Sequence, residues 1–251
     1  MSDADVKEQK NEPSADIAKP SDGILVIDIG GNSVKLWHTS HAEHLKFESG
    51  KTLTPDEMVK EAKEHAKHWQ YDRIALGIPT RVNGGRIVED PVNLAPGWVG
   101  FHYSSSFDLP VRIMNDACLQ ALGSYDGGRM LFLGLGTGVG SALIAERLVL
   151  SLDMGRIHFD DHRLFELLGD QGFDELGLKK WTKVVMEVVP FLKHAMMADY
   201  VVLGGGNVKE LAELPDGVRR GHNRTVVEGG RKLWEELPDP SEKPCSDWVI
   251  L

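Results

Sequence analysis

Four apolar runs in this chain stop abruptly on glycine or on an Asn-Asp pair, and that recurrence limits the folds open to it. "ILVIDIGG" ends at Gly30-Gly31, "VRIMND" at Asn115-Asp116, "LFLGLGTG" at Gly136-Thr137-Gly138 and "YVVLGGGN" at Gly204-Gly205-Gly206. Short aliphatic runs closed by turn formers read as buried strands, expected over 23–29, 73–79, 111–116 and 199–207. "SVKLWH" (33–38) is the hairpin partner of the first. "RMLFLGLGTGVGSALIAERLVL" (129–150) reads as strand, glycine turn, strand. Helical patterns lie between. "TPDEMVKEAKEHAKHW" (54–69) offers Thr54 as a cap, Pro55 in the first turn and Glu57 for a capping box. "ACLQALGSY" follows Asp116, a long helix covers 173–196 with a kink or break at Pro190, and another helix opens at "GNVKELAEL". Strands alternating with helices indicate an α/β protein, whose ligands gather at the carboxyl ends of the strands. Four such endings predict one cleft with several walls.

Composition narrows what that cleft serves. The 251 residues are 41% hydrophobic, enough core for one large domain or two modest ones. A net charge of −10 argues against a sequence-independent grip on nucleic acid. No apolar run is long enough to span a bilayer. Cys118 and Cys245 are the only cysteines, too few for a disulfide framework or an all-cysteine zinc site, so a reduced, cytoplasmic setting is expected. Residues 1–22 are polar and lack a signal-peptide apolar segment; they read as a disordered leader.

Each glycine motif carries a functional and a bland meaning. In "DIGGNSVK", Gly30 and Gly31 let backbone N–H groups approach a phosphate, Asp28 can hold Mg²⁺ through water, and Lys35 can meet phosphate charge. The same turn would serve as a plain hairpin. "LGLGTGVGS" adds the Thr137 hydroxyl but lacks the Lys-Ser/Thr of a Walker loop, and the strand after it argues against a dinucleotide fold. Asp116 stands at a strand–helix junction, as a general base or only as an N-cap. "GGGNVKEL" places glycines before a helix start, suited to an anion or simply to a tight turn.

The order of these motifs is more specific than any one of them. Strand-Asp-Gly-Gly, then Asn-Asp, then Leu-Gly-Thr-Gly, then Gly-Gly-Gly resembles the sugar kinases of the ROK family, in the actin-like ATPase superfamily. The chain looks nearest the polyphosphate glucokinase branch, and the stretch "ADYVVLGGGNVKELAELPDGVRRGHNRTVVEGGRKLWEE" (198–236) resembles the family's C-terminal end almost element by element. The resemblance covers residues 23–237. It implies a two-lobed actin-like ATPase (ribonuclease H-like) fold with a cleft between the lobes. A smaller N-terminal lobe would span 23–116, completed by a helix near 225–237. A larger lobe would span 117–224, and a tail 238–251. The resemblance further implies that Asp116 is the base for a sugar hydroxyl and that Asn93, Asn115, Asp153 and Arg156 bind sugar. Asp28, Gly30, Gly31, Asn32, Lys35, Gly136, Thr137, Gly138, Gly205 and Gly206 would line the phosphate and nucleotide site. Mg²⁺ at Asp28, ATP or polyphosphate as donor, and a homodimer are implied as well.

Four positions depart from the family pattern. Asn32 replaces a threonine, Thr80 replaces the glycine of a sugar loop, and Asp153 and Arg156 replace the glutamate and histidine that hold sugar hydroxyls. Asp for Glu shortens the reach, and Arg for His puts a permanent cation there, suited to an anionic ligand or to a pair with Asp153. The family's cysteine-rich zinc loop is absent, so no structural zinc is expected. His158 and His162 read as loop residues and Cys118 as a small packing residue. Polyphosphate would favour a basic track, for which Lys179, Lys180, Lys183, Arg219, Arg220 and Arg224 are candidates. Three functions follow: a phosphotransferase, a non-catalytic sugar or sugar-phosphate binder, and a repressor. The last needs a DNA-binding domain ahead of the core, where only the polar leader stands.

Overall fold

A computed structural model describes residues 23–222, 224–238 and 248–249; the 1–22 leader, Cys245 and most of the 238–251 tail lie outside them. The first sheet is built from β1 (Ile24–Ile29), β2 (Ser33–His38), β3 (His44–Glu48), β4 (Arg73–Ile78) and, past a short hairpin of β5 (Val82–Asn83) and β6 (Arg86–Ile87), β7 (Val111–Asn115). The second uses β8 (Met130–Leu135), β9 (Val139–Ala145) and β10 (Leu148–Leu152). After the hairpin of β11 (His158–Phe159) and β12 (His162–Arg163) it adds β13 (Tyr200–Gly204), β14 (Val218–Arg220) and β15 (Trp248–Val249).

The two sheets repeat one plan. The first runs β3-β2-β1-β4-β7, with an antiparallel meander β1 to β3 and parallel strands β4 and β7 on the other side of β1. The second places the meander β8-β9-β10 beside parallel β13 and β14, and β15 extends its edge. The β1–β2 turn and the β8–β9 turn therefore occupy equivalent places. Both are glycine turns singled out in the sequence.

Among the described residues, six α-helices fill the layers: α1 (Pro55–His65), α2 (Tyr103–Phe107), α3 (Asp116–Ser124), α4 (Leu164–Leu168), α5 (Asp170–Ala195) and α6 (Thr225–Glu235). Period-two alternation decides which core each strand residue joins. Leu25, Ile27 and Ile29 face an outer core with α1 and α2, while Ile24 and Val26 face the middle layer. In β8, Leu131, Leu133 and Leu135 face the outer core with α4 and α5, and Met130 and Phe132 face the middle. That middle layer is α3 and α6, sandwiched between the sheets. The helices cross where neither has a side chain: a Cβ on Gly123 would lie 1.7 Å from the Thr225 carbonyl oxygen, and one on Gly229 1.9 Å from that of Leu119. Gly230 likewise lets α6 settle on Val26 and Ala75 of the first sheet.

Several local expectations hold and three need correction. α1 has its capping box, with Thr54 Oγ1 accepting from the Glu57 amide and Glu57 accepting from that of Thr54. Thr54→Ala is expected to cost about 1 kcal/mol. Thermal unfolding would register it as a Tm lower by about 2–4 °C. The helix ends at His65 rather than near 69, because the chain turns at Ala66 and brings Trp69 edge-on to His41, ring centroids 5.0 Å apart. The long helix breaks at Gly177, not at Pro190. Gly177 adopts φ 70°, ψ 158°, a conformation glycine alone takes readily. Pro190 stays inside the helix; Met186, four residues before it, lies on the exposed face, where water can take the freed carbonyl. Finally, "GNVKE" forms a 3₁₀ turn (Gly206–Glu210) and no α-helix. Val208 and Leu211, three apart, are both buried in one core, a spacing that fits the 3₁₀ repeat. Among the described residues, no helix is long and apolar enough to cross a membrane.

Candidate active site

Asp28 continues the face of β1 that carries Ile24 and Val26, so its carboxylate points into the middle layer toward α3. It pairs in register with Lys35 of β2, which puts the two side chains on one face. Burial raises the Asp28 carboxyl above its usual range, and Lys35 partly offsets that rise. Just beyond, Gly30 donates to the Ser33 carbonyl (3.0 Å) and closes the turn. Ser49 pins the turn from outside: its hydroxyl donates to Gly30 O at 2.7 Å and its amide to Asn32 O at 3.3 Å. Ser49 stands at the end of the edge strand β3, with no mark in the sequence. Asn32 is exposed at the tip.

Asp116 is the first residue of α3, and the cap before it is Asn115. The Asn115 Oδ1 accepts from the Cys118 amide (3.1 Å), while its Nδ2 donates to Thr80 O (3.1 Å). The Asp116 carboxylate itself receives hydrogen bonds from the amides of Asp116 and Ala117 and from the Asn115 side chain, which hold it at the head of α3. Gly77 makes room for it. In the strand between β1 and β7, Gly77 pairs with Asp28 on one side and Met114 on the other. A Cβ there would lie 3.0 Å from Leu119 Cδ2 and 3.5 Å from Asp116 Cα. A glycine inside an otherwise aliphatic strand was the available signal for this close approach. Burial, then the nearby Asp28 charge, pushes the Asp116 carboxyl up to about 7. Asp28 and Asp116 are thus two buried carboxylates in one place, the Asp28 charge raising Asp116 and Lys35 the cation acting on Asp28, a pair that could hold a divalent cation through water.

A loop from β6 to α2 forms a second wall. Its organiser is Asp90, whose carboxylate accepts from the amides of Gly97 (3.3 Å), Trp98 (2.8 Å) and Val99 (3.2 Å). Burial alone would raise the Asp90 carboxyl; the three amides outweigh it and hold it below the ordinary range. Trp98 is fully buried beneath the loop, and its carbonyl accepts from the Tyr103 hydroxyl. Asn93 is thereby held over the first glycine turn, its Nδ2 3.7 Å from where a Gly31 Cβ would stand. Thr80 donates its hydroxyl to Glu89 O (2.8 Å) and ties down the segment leading from β6 to Asp90.

The remaining walls come from the second sheet. Gly136 donates to Gly138 O across the β8–β9 turn, and Thr137 and Gly138 are exposed. A Cβ on Gly140, two residues on, would lie 3.3 Å from Ala117 Cβ, so α3 packs closely on β9 here, with Asp116 beside this turn. Gly205 has φ +90°, and a Cβ there would lie 2.2 Å from Leu135 O; no other residue fits. Gly206 and Gly205 are exposed. The 3₁₀ turn Met154–Arg156 packs against the start of β9, where Gly155 meets Val139. Asp153 and Arg156 form an ion pair with each other at 2.8 Å, both mostly exposed. Of the six candidate cations of a track, the three arginines have partners of their own. Arg219 pairs with Asp126, Arg220 donates to Leu211 O and Arg224 to His41 O, while Lys179, Lys180 and Lys183 lie exposed on α5.

No protein-family model matches the sequence, and no curated protein matches it. Solved structures match the fold. An inorganic polyphosphate/ATP-glucomannokinase from Arthrobacter sp. strain KM superimposes with a TM-score of 0.69 at 18% identity, over 83% of this chain and 96% of that one. A ROK family glucokinase from Streptomyces griseus, solved with glucose and AMPPNP, gives 0.67 at 13% identity, over 84% and 99%. A ROK family transcriptional regulator, a homologue of the E. coli MLC protein, gives 0.63 at 13%, over 84% and 77%. The chain thus has the two-lobed actin-like ATPase fold that the ROK sugar kinases share.

Proposed function

We propose that this chain is a sugar kinase that moves a terminal phosphoryl group from ATP or polyphosphate to a hexose hydroxyl, with Asp116 as general base. The observation that carries this is the convergence of Asp28 and Asp116 between two open glycine turns at equivalent places in the repeated sheets. A base with a pKa near 7 is matched to taking a hydroxyl proton at neutral pH. The amides of Gly30, Gly31, Gly136 and Gly138 and the Thr137 hydroxyl would hold donor phosphates, with Lys35 adding charge. Gly205 and Gly206 leave room for the far end of the donor. Asn93 would orient the acceptor, and Asn115 would fix Asp116 through its cap and its bond to Thr80. Mg²⁺, held by Asp28 through water, would supply charge neutralisation at the donor oxygens. Rate enhancement here comes chiefly from positioning and electrostatics. The solved neighbours that act on glucose and use polyphosphate or ATP favour those substrates.

The Asp153–Arg156 pair supports a second reading, a sugar or sugar-phosphate binding protein without transfer. A coupled assay of hexoses, amino sugars and acidic sugars against ATP, GTP and polyphosphate separates the two. Sugar phosphate formed by some pair supports the kinase. A folded protein that binds a sugar and forms no product with any donor supports the binder.

The acceptor wall yields its own expectation. Asp90→Ala removes the acceptor of three loop amides, so the loop carrying Asn93 loosens. Steady-state kinetics should show the acceptor KM raised about tenfold or more, with the donor KM nearly unchanged.

A further inference from the structure

The two turns on the donor side belong to stretches far apart in sequence, 136–138 and 204–207. β8 and β13 pair in parallel as far as Gly134 and Gly204, and beyond that register no strand pairing sets the spacing of the turns. Gly205 packs against the Leu135 backbone at the base of the turns, and Asp170 adds a hydrogen-bonded link across them. The amide of Asp170 donates to Gly136 O at 2.7 Å, and the Asp170 Oδ1 accepts from Asn207 Nδ2 at 2.8 Å. Gly169, just before it, presses the start of α5 onto the first turn: a Cβ there would lie 3.2 Å from Gly136 O and 3.6 Å from Gly138 O. The free N–H at the head of α5 is thus taken up by the turn itself. Asp170 and Asn207 are both partly buried, so solvent competes little for their bond.

We infer that Asp170 is a positioning residue for the phosphoryl donor, bracing the 136–138 turn against the 204–207 turn through Gly136 and Asn207 so that both grip one molecule. This rests on the reading that these turns hold the donor. The brace acts through an accepted hydrogen bond, and that separates it from a general effect of negative charge at a helix start. Asp170→Asn keeps a carbonyl oxygen for Asn207 and loses the charge. Asp170→Ala loses both.

The test measures Mg·ATP and polyphosphate binding by calorimetry, which needs no turnover, beside steady-state kinetics. Asp170→Ala and Asn207→Ala should each weaken donor binding and raise donor KM about tenfold, with acceptor KM within twofold. The double variant should be no worse than either single one, as befits two ends of one contact. Asp170→Asn should recover most of the affinity. In NMR spectra of the ligand-free protein, the Asn207 side-chain amide protons should be protected from exchange in the wild type and in Asp170→Asn, and unprotected in Asp170→Ala. Equal damage from Asp170→Asn and Asp170→Ala, additive effects of the two alanine variants, or an Asn207 amide indifferent to Asp170 would overturn the brace. A wild type that binds neither donor would overturn the donor reading and its positioning role together. Donor binding that Asp170→Ala leaves intact would overturn the positioning role alone.

Discussion

Asp116→Asn is expected to lose about 10²–10⁴-fold in kcat while melting at a higher temperature than the wild type at pH 8. Both effects come from one carboxylate. The amide fills the same space at the head of α3 but cannot take a proton from a hydroxyl. The stability gain follows from linkage. Burial and Asp28 raise the folded carboxyl to about 7, above the 3.8 it has in an unfolded chain. Between those values the native state holds a proton that the unfolded state has lost, so stability falls as pH rises through that window. Asparagine does not ionise and escapes the loss. The full shift would correspond to about 4 kcal/mol; with the carboxylate partly open to water, about 1–3 kcal/mol is expected at pH 8. At pH 4 the two proteins should melt nearly together. Thermal scans at the two pH values, beside turnover numbers, check both halves. A variant that lost activity and stability alike would mean that Asp116 serves the fold.

Gly123→Val is expected to do the reverse, destroying stability at a site that touches no substrate. Its Cβ would stand 1.7 Å from the Thr225 carbonyl oxygen and 2.6 Å from the Gly229 amide nitrogen, so backbone meets backbone and no rotamer relieves it. α3 and α6 would have to part, opening the layer that joins the sheets and carries Asp116. The cost should exceed about 4 kcal/mol, lowering Tm by about 10 °C or more, or preventing soluble expression. Gly206→Ala is the contrast. Nothing lies within 4 Å of its Cβ position, so its Tm should stay within a degree or two of the wild type. Similar melting of the two variants would show that the glycine crossing does not hold the helices.

The same two sites mark what the sequence could and could not disclose. Asp28, Asp116 and the glycine turns were legible because each is a local event: an apolar run, a stop, and a residue type with few uses at a strand end. Gly123 and Gly229 sit in ordinary amphipathic stretches, and their partnership spans chain segments that no periodicity connects. The repeated sheet plan was hidden for a related reason, since what repeats is backbone pairing and not residue identity. Pro190 was the louder helix breaker, yet Gly177 broke α5, because a proline over an exposed carbonyl is tolerated while a positive φ must fall on glycine. Asp90, Ser49 and Asp170 organise the walls through carboxylate or hydroxyl bonds to distant backbone and amide groups. Such residues look like surface residues until the loops are folded around them. Arg156 shows the opposite: conspicuous in sequence, it pairs with Asp153 in the structure.

The measurement that tests the central claim most directly is the pH profile of kcat/KM, taken with whichever donor and acceptor the substrate panel identifies. If Asp116 accepts the hydroxyl proton from its buried place beside Asp28, the acid limb should fall tenfold per pH unit below a midpoint near 7. A profile flat from pH 5 to pH 8, in a protein that stays folded throughout, would contradict it.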